Sequence, residues 1–174
     1  METYIALFRG INVCGRNILP MADLKDLLHS IGLQNVKTYI QSGNVVFQAK
    51  DINFSDVSFQ IKNALEASHG FSPEILILRL EQFSTALSTN PFPEAEPKTL
   101  HLFFLATVPQ APDLEKIDQL KQNGEKFALV DKVFYLYAPE GIGRSKLASK
   151  VEKLLGVPTT ARNWRTVNKI IDLA

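Results

Sequence analysis

One order of local patterns occurs twice, and it constrains this chain more than any other feature. TYIALFR (3–9) is apolar at nearly every position and rich in β-branched and aromatic residues, which predicts a central strand. Pro20 then fits the first turn of a helix. In MADLKDLLHSIG, Met21, Leu24, Leu27, Leu28 and Ile31 share one face, and Gly32 supplies a stop. VKTYIQ and NVVFQ read as strands around SGN at 42–44, with Gly43 free to take positive φ. SDVSFQIKNALEASHG reads as a helix capped by Ser55 and ended by Gly70, and EILILRL (74–80) as a strand. The order is β-α-β-β-α-β, that of a ferredoxin-like unit.

The order then begins again. A short helix around EQFSTALS leads into NPFPEAEPK, where three prolines forbid regular structure. TLHLFFLAT (99–107) predicts a strand, DLEKIDQLKQN a helix, and KFALV and KVFYLYA a tight hairpin turning at Asp131. SKLASKVEKLLG (145–156) predicts a helix and PTTAR a short strand. NWRTVNKIIDL predicts a closing helix capped by Asn163, with Trp164, Val167, Ile170 and Ile171 turned inward. The expectation is an α+β fold of two ferredoxin-like (α/β plait) units with antiparallel sheets and an extra C-terminal helix. Residues 1–80 would form the first unit, 81–98 a connector, and 99–174 the second unit with its helix.

Composition narrows the function classes. No apolar run approaches the roughly 18 residues of a membrane helix, and METYIALFRG lacks the basic start and long apolar stretch of a signal peptide. A cytoplasmic location without a membrane partner is expected. The single cysteine, Cys14, excludes an internal disulfide and a multi-cysteine zinc site. The net charge of +1 hides an asymmetry: residues 141–174 carry seven Lys and Arg against Glu152 and Asp172. That basic end suits an anionic partner, or equally a solvated helix surface.

In a ferredoxin-like sheet of strand order 4-1-3-2, strands 1 and 2 point the same way. The loop RGINVCGRN and the hairpin YIQSGNV therefore emerge at one end. Arg9, Asn12, Arg16 and Asn17 would meet Gln41, Ser42 and Asn44 there, with glycines that let backbone N–H groups approach a ligand. Guanidinium forks, amides and backbone donors are what a phosphate or carboxylate site needs. The alternative is that these residues shape a long loop. The spacing from Gly10 to Gly15 fits neither GxGxxG nor the Walker pattern. Arg144, Ser145 and Lys146, after Gly141 and Gly143, form a second candidate anion site at a predicted helix start, against ordinary capping by Ser145. Arg162, Asn163 and Trp164 form a third, with Arg165 beside them, against a Trp that belongs to the core.

Catalytic patterns are poor: HExxH, GxSxG and HxE…CxxC are absent, His29 and His69 fall in last turns of helices, and His101 falls in a strand. Cys14 lies near Arg9 and Arg16 but has no histidine close in sequence to serve as base. Asp23 and Asp26 give a magnesium site little support. No cofactor is indicated.

RGINVCGRNILPMADLKDLL, TYIQSGNVVF, FALVDKVFYLYAPEGIGRSKL and VPTTARNWRTVNKI together resemble a bacterial family known as domain of unknown function family 1697. The resemblance implies two ferredoxin-like units and carries no established activity. The family's loop is expected to read INVGG, and Cys14 stands at the first of those glycines. This speaks against a cysteine nucleophile shared by the family and against a need for positive φ at position 14. The functional expectation is a binding module for a phosphate-bearing ligand, a nucleotide or RNA. Two alternatives stand beside it: an enzyme on a small anionic metabolite, with Cys14 or Ser42 near the reaction, and a structural or homo-oligomeric protein whose loops lock the units.

Overall fold

The computed structural model describes residues 1–174, which group into two compact units: Met1–Thr85 with Lys169–Ala174, and Ala86–Asn168. Each unit holds one four-stranded antiparallel sheet.

In the first unit the chain runs β1 (Glu2–Arg9), α1 (Met21–Ser30), β2 (Gln34–Tyr39), β3 (Asn44–Ala49), α2 (Phe54–His69) and β4 (Glu74–Arg79). The sheet order is β2-β3-β1-β4, so TYIALFR is a central strand as its composition requires. Tyr4 through Phe8 are all buried. Tyr4, Ala6 and Phe8 pack with Val45 and Phe47 of β3 against Leu24 and Leu28 of α1 and Ile61 and Leu65 of α2. Full burial of one such side chain contributes about 1.5–3 kcal/mol, so this alternating stripe fixes the register. Ile5, Leu7, Val46 and Leu78, on the opposite face, are buried as well.

Two local expectations are corrected here. The cap of α2 is Asn53, whose Oδ1 accepts from the N–H groups of Ser55 (2.9 Å) and Asp56 (3.3 Å), so Ser55 lies inside the first turn. An asparagine two residues ahead reaches the free helix donors as well as a serine would, and Phe54 starts the apolar face earlier than expected. Pro20 sits at the cap of α1 with ψ 138°, one residue outside the helix.

The second unit contains the end of α3 (Leu80–Ser88), then β5 (Leu100–Leu105), α4 (Leu114–Leu120), β6 (Lys126–Val130), β7 (Val133–Tyr137), α5 (Val151–Leu155) and β8 (Thr159–Asn163). Its order is β6-β7-β5-β8, the same arrangement as in the first unit. Phe103, Leu105, Phe134 and Leu136 pack against Ile117 of α4 and Leu147, Val151 and Leu155 around α5. The chain closes in α6 (Trp164–Leu173), capped as expected by Asn163, whose Oδ1 accepts from Thr166 N–H at 2.8 Å. Val167 and Ile170 are buried, while Trp164 and Ile171 are half-buried. The helix expected over 145–156 forms only at Val151–Leu155. A 3₁₀ turn (Ile142–Arg144) and further turns come first; Ser145 Oγ accepts the Ala148 N–H (3.0 Å), a bond of the helix-cap type.

Candidate functional site

Beyond β1 the chain leaves the sheet through Gly10 at φ +75°. Asn12 then organises the loop. Its Nδ2 donates to the carbonyls of Leu19 (2.9 Å) and Gln41 (2.8 Å), and its Oδ1 accepts from Leu19 N–H (2.7 Å). The first loop is thereby tied to the β2–β3 hairpin, the meeting that strand order demanded. Between them residues 12–17 form a small hairpin: Asn12 N–H donates to Asn17 O (3.0 Å), Arg16 N–H donates to Val13 O (2.9 Å), and Asn17 Nδ2 donates back to Gly10 O (2.8 Å). Its two central residues, Cys14 and Gly15, have φ of +51° and +73°. A two-residue hairpin of this kind needs positive φ at both centres. Position 14 therefore does require it, contrary to what the cysteine suggested, and Cys14 holds a conformation that glycine adopts without cost.

The second segment is equally tight. Gly43, at φ +70°, accepts from Phe8 N–H at 2.9 Å, and a Cβ there would lie 2.5 Å from Phe8 Cβ and 2.6 Å from Ile11 Cδ1. Asn44 is buried, its Nδ2 donating to Tyr39 O (3.0 Å) and Ser42 Oγ (2.9 Å). The amides of Asn12, Asn17 and Asn44 thus build the loops. Arg9, Arg16, Asn17 and Gln41 are the predicted residues that stand exposed on them, Asn17 with its amide turned back onto Gly10 O. With them are three residues that the sequence reading passed over: Val13, Ile18 and Ile40, all 50% exposed or more. Val13 and Ile18 carried a signal, each following a loop asparagine; Ile40, between Tyr39 and Gln41, carried none. Thr3 through Ala22 and Leu27 through Lys50 contain no Asp or Glu. The nearest carboxylate in register is Glu74, opposite Arg9 in the sheet and paired with Lys62 at 2.9 Å.

In the second unit, exposed Arg144 shares a shallow recess with Gln122, Asn123, Glu125, Glu140 and Gly141. Asn123 Nδ2 donates to Glu140 Oε2 (2.7 Å), and Gln122 N–H donates to Glu125 Oε2 (3.0 Å). Two carboxylates beside one guanidinium make this recess acidic on balance. Ser145 is buried in its turn and Lys146 is exposed. Arg162 and Asn163 are successive strand residues and point to opposite faces of β8. Burial pulls the Arg162 guanidinium down to about 10, and its Nη1 donates to Ala161 O (2.8 Å). The third candidate set is therefore divided by the sheet.

Chemically reactive groups are poorly placed. Ser68 Oγ lies 2.7 Å from His69 Nδ1, and His69 Nε2 lies 3.4 Å from Asp23 Oδ2. The three residue types are those of a hydrolase triad, but Ser68 Oγ–H donates to Ala64 O (2.7 Å), so the imidazole faces an occupied hydroxyl. Cys14 is exposed at a hairpin tip, and Ser42 Oγ accepts from Asn44. His101 is buried with Nδ1 lacking a partner, and burial lowers its pKa.

The comparisons agree with this architecture. A conserved bacterial protein from Streptococcus pneumoniae has the same fold, with 25% identity, a TM-score of 0.71, and coverage of 99% of this chain and 98% of that one. No functionally curated protein matches the chain. The profile of a family described as "Protein of unknown function (DUF1697)" matches residues 1–135, more than half the sequence, and the chain belongs to that family.

Proposed function

We propose that this protein is a binding module for a phosphate-bearing ligand, which it meets through the loop surface of residues 9–18 and 40–42. The observation that supports this is the division of labour in those loops. The side-chain amides of Asn12 and Asn17 hold backbone, while Arg16 is displayed at the end of a closed hairpin in segments that carry no carboxylate. An exposed guanidinium on an ordered loop whose segments lack an acid favours a phosphate oxygen pair. The acidic recess around Arg144 does not offer that.

The same geometry favours a nucleotide or an RNA end over base readout on the sheet. In RNA-recognition folds the open sheet face stacks bases. Here Ile5, Leu7 and Val46 on that face are buried.

Calorimetric titration with inorganic polyphosphate, ADP and a short single-stranded RNA tests the reading. Binding by at least one probe is expected. Arg16→Ala should weaken it about tenfold, the loss of roughly 1.4 kcal/mol that one charge-assisted contact supplies. Binding that Arg16→Ala leaves intact, or no heat from any probe, would refute it.

A further inference from the structure

The two outer edges of the second sheet are finished differently. The hydrogen-bond pattern fixes which backbone groups each edge strand presents. Leu105 N–H donates to Lys132 O and Ala138 N–H to Thr99 O (both 2.8 Å), so the even-numbered residues of β7 face β5. The odd-numbered ones face β6 and pair Val133, Tyr135 and Tyr137 with Val130, Ala128 and Lys126. The N–H and C=O groups of Phe127 and Leu129 consequently point outward. The opposite edge, β8, is closed by side chains: Arg162 donates to Ala161 O, and Glu152 Oε2 accepts from Thr159 N–H (2.8 Å). In the first unit, edge strand β2 carries a register break between Gln34 and Lys37, a common protection against strand addition.

β6 has none of these devices. Phe-Ala-Leu-Val runs without a charge or proline between Lys126 and Asp131, and all four residues are half-buried. Such an edge is a template for another strand. Its own sequence fits it in one antiparallel register. With Ala128 opposite Ala128 on a two-fold axis, Phe127 faces Leu129 twice. All four outward groups of each copy are then satisfied. The closest side-chain approach in an antiparallel pair occurs at the non-hydrogen-bonded position, here occupied by the smallest residue of the strand.

We propose that β6 is a homodimer edge, and that two copies of this chain join their second-unit sheets through an Ala128-centred antiparallel pairing. The interface is isologous, as a two-fold contact requires. It does not involve the loop surface of the proposed function.

Sedimentation velocity across a wide concentration range, together with site-specific crosslinking, tests this. The wild-type chain should show a monomer–dimer equilibrium, and Ala128→Lys, which sets two ammonium groups face to face, should sediment as monomer with an unchanged far-UV spectrum. For crosslinking, Cys14 is first replaced (Cys14→Gly) so that no other thiol competes. Ala128→Cys in that background should oxidise to a covalent dimer, because facing non-hydrogen-bonded positions bring Cβ atoms within disulfide reach. Val130→Cys should not, since Val130 faces Lys126 of the other copy. A monomer at every concentration, or a dimer that Val130→Cys links as readily as Ala128→Cys, overturns the proposal. Should Ala128→Lys fail to fold, the crosslinking pair decides alone.

Discussion

Replacing Gly43 by alanine separates two roles of a turn glycine, conformational freedom and close approach. An L-residue at φ +70° carries a left-handed penalty of about 1–2 kcal/mol, reduced by about 0.4–1 kcal/mol because alanine also stiffens the unfolded chain. The new Cβ would stand 2.5 Å from Phe8 Cβ. Carbon atoms favour about 3.5–4.0 Å, so one backbone must shift by about 1 Å. Phe8 and Gly43 are joined by a 2.9 Å hydrogen bond, so that shift disturbs the β1–β3 ladder itself. Overpacking of this sort costs about 1–3 kcal/mol, which puts the total for Gly43→Ala at about 2–4 kcal/mol. Gly15→Ala is the control: φ is +73°, but nothing lies within 4 Å of the added methyl. It should cost about 1 kcal/mol or less. Urea unfolding followed by far-UV circular dichroism reads both variants. Ile11→Val should rescue Gly43→Ala only slightly, because the Phe8 contact remains. Equal destabilisation by the two glycine variants would refute the close-approach argument.

Other substitutions follow from the same geometry. Cys14→Gly should raise stability by about 0.5–1 kcal/mol, measured as a higher urea midpoint, because it relieves a left-handed residue in open space. Asn12→Ala removes three hydrogen bonds and strands two carbonyls and an amide, so a loss of about 2–3 kcal/mol is expected by the same assay. Burial lowers the His101 pKa below its ordinary 6.5, so the native state holds fewer protons than the unfolded one. Stability should be intact above about pH 6.5 and decline as pH falls towards the folded-state pKa. His101→Leu should flatten that decline, seen by comparing urea midpoints at about pH 7.5 and 5.5.

The sequence carried the strand order because each element of the fold has a strong local signature. TYIALFR is apolar without interruption and lies inside the sheet, and NWRTVNKIIDL shows both its cap and its period. The short α5 was over-read: Ser145 does make a cap-type bond to the Ala148 N–H, but the residues after it run through turns and regular helix begins only at Val151. The meeting of the candidate loops was legible, but not the roles of their residues. Topology alone brought 9–17 to 40–44. Asparagine in such a loop can hold backbone or ligand with the same atoms, and Asn12, Asn17 and Asn44 proved to hold backbone. The reading of position 14 failed for a related reason: a cysteine at positive φ is uncommon, so its presence argued against the very turn that it occupies.

The Asn12 clasp also bears on how the surface would meet a partner. A segment of this length outside regular structure ordinarily opens with little free energy and exchanges its amide hydrogens readily. Here the Leu19 and Arg16 amides are engaged inside a closed circuit, and Phe8 and Asn12 extend it into the sheet. Their exchange should follow opening of the β1–β3 region rather than local fraying. A ligand of the proposed kind at Arg16 would find its surface already formed. Association of the proposed ligand would then proceed without an ordering step, with little conformational entropy lost on capture.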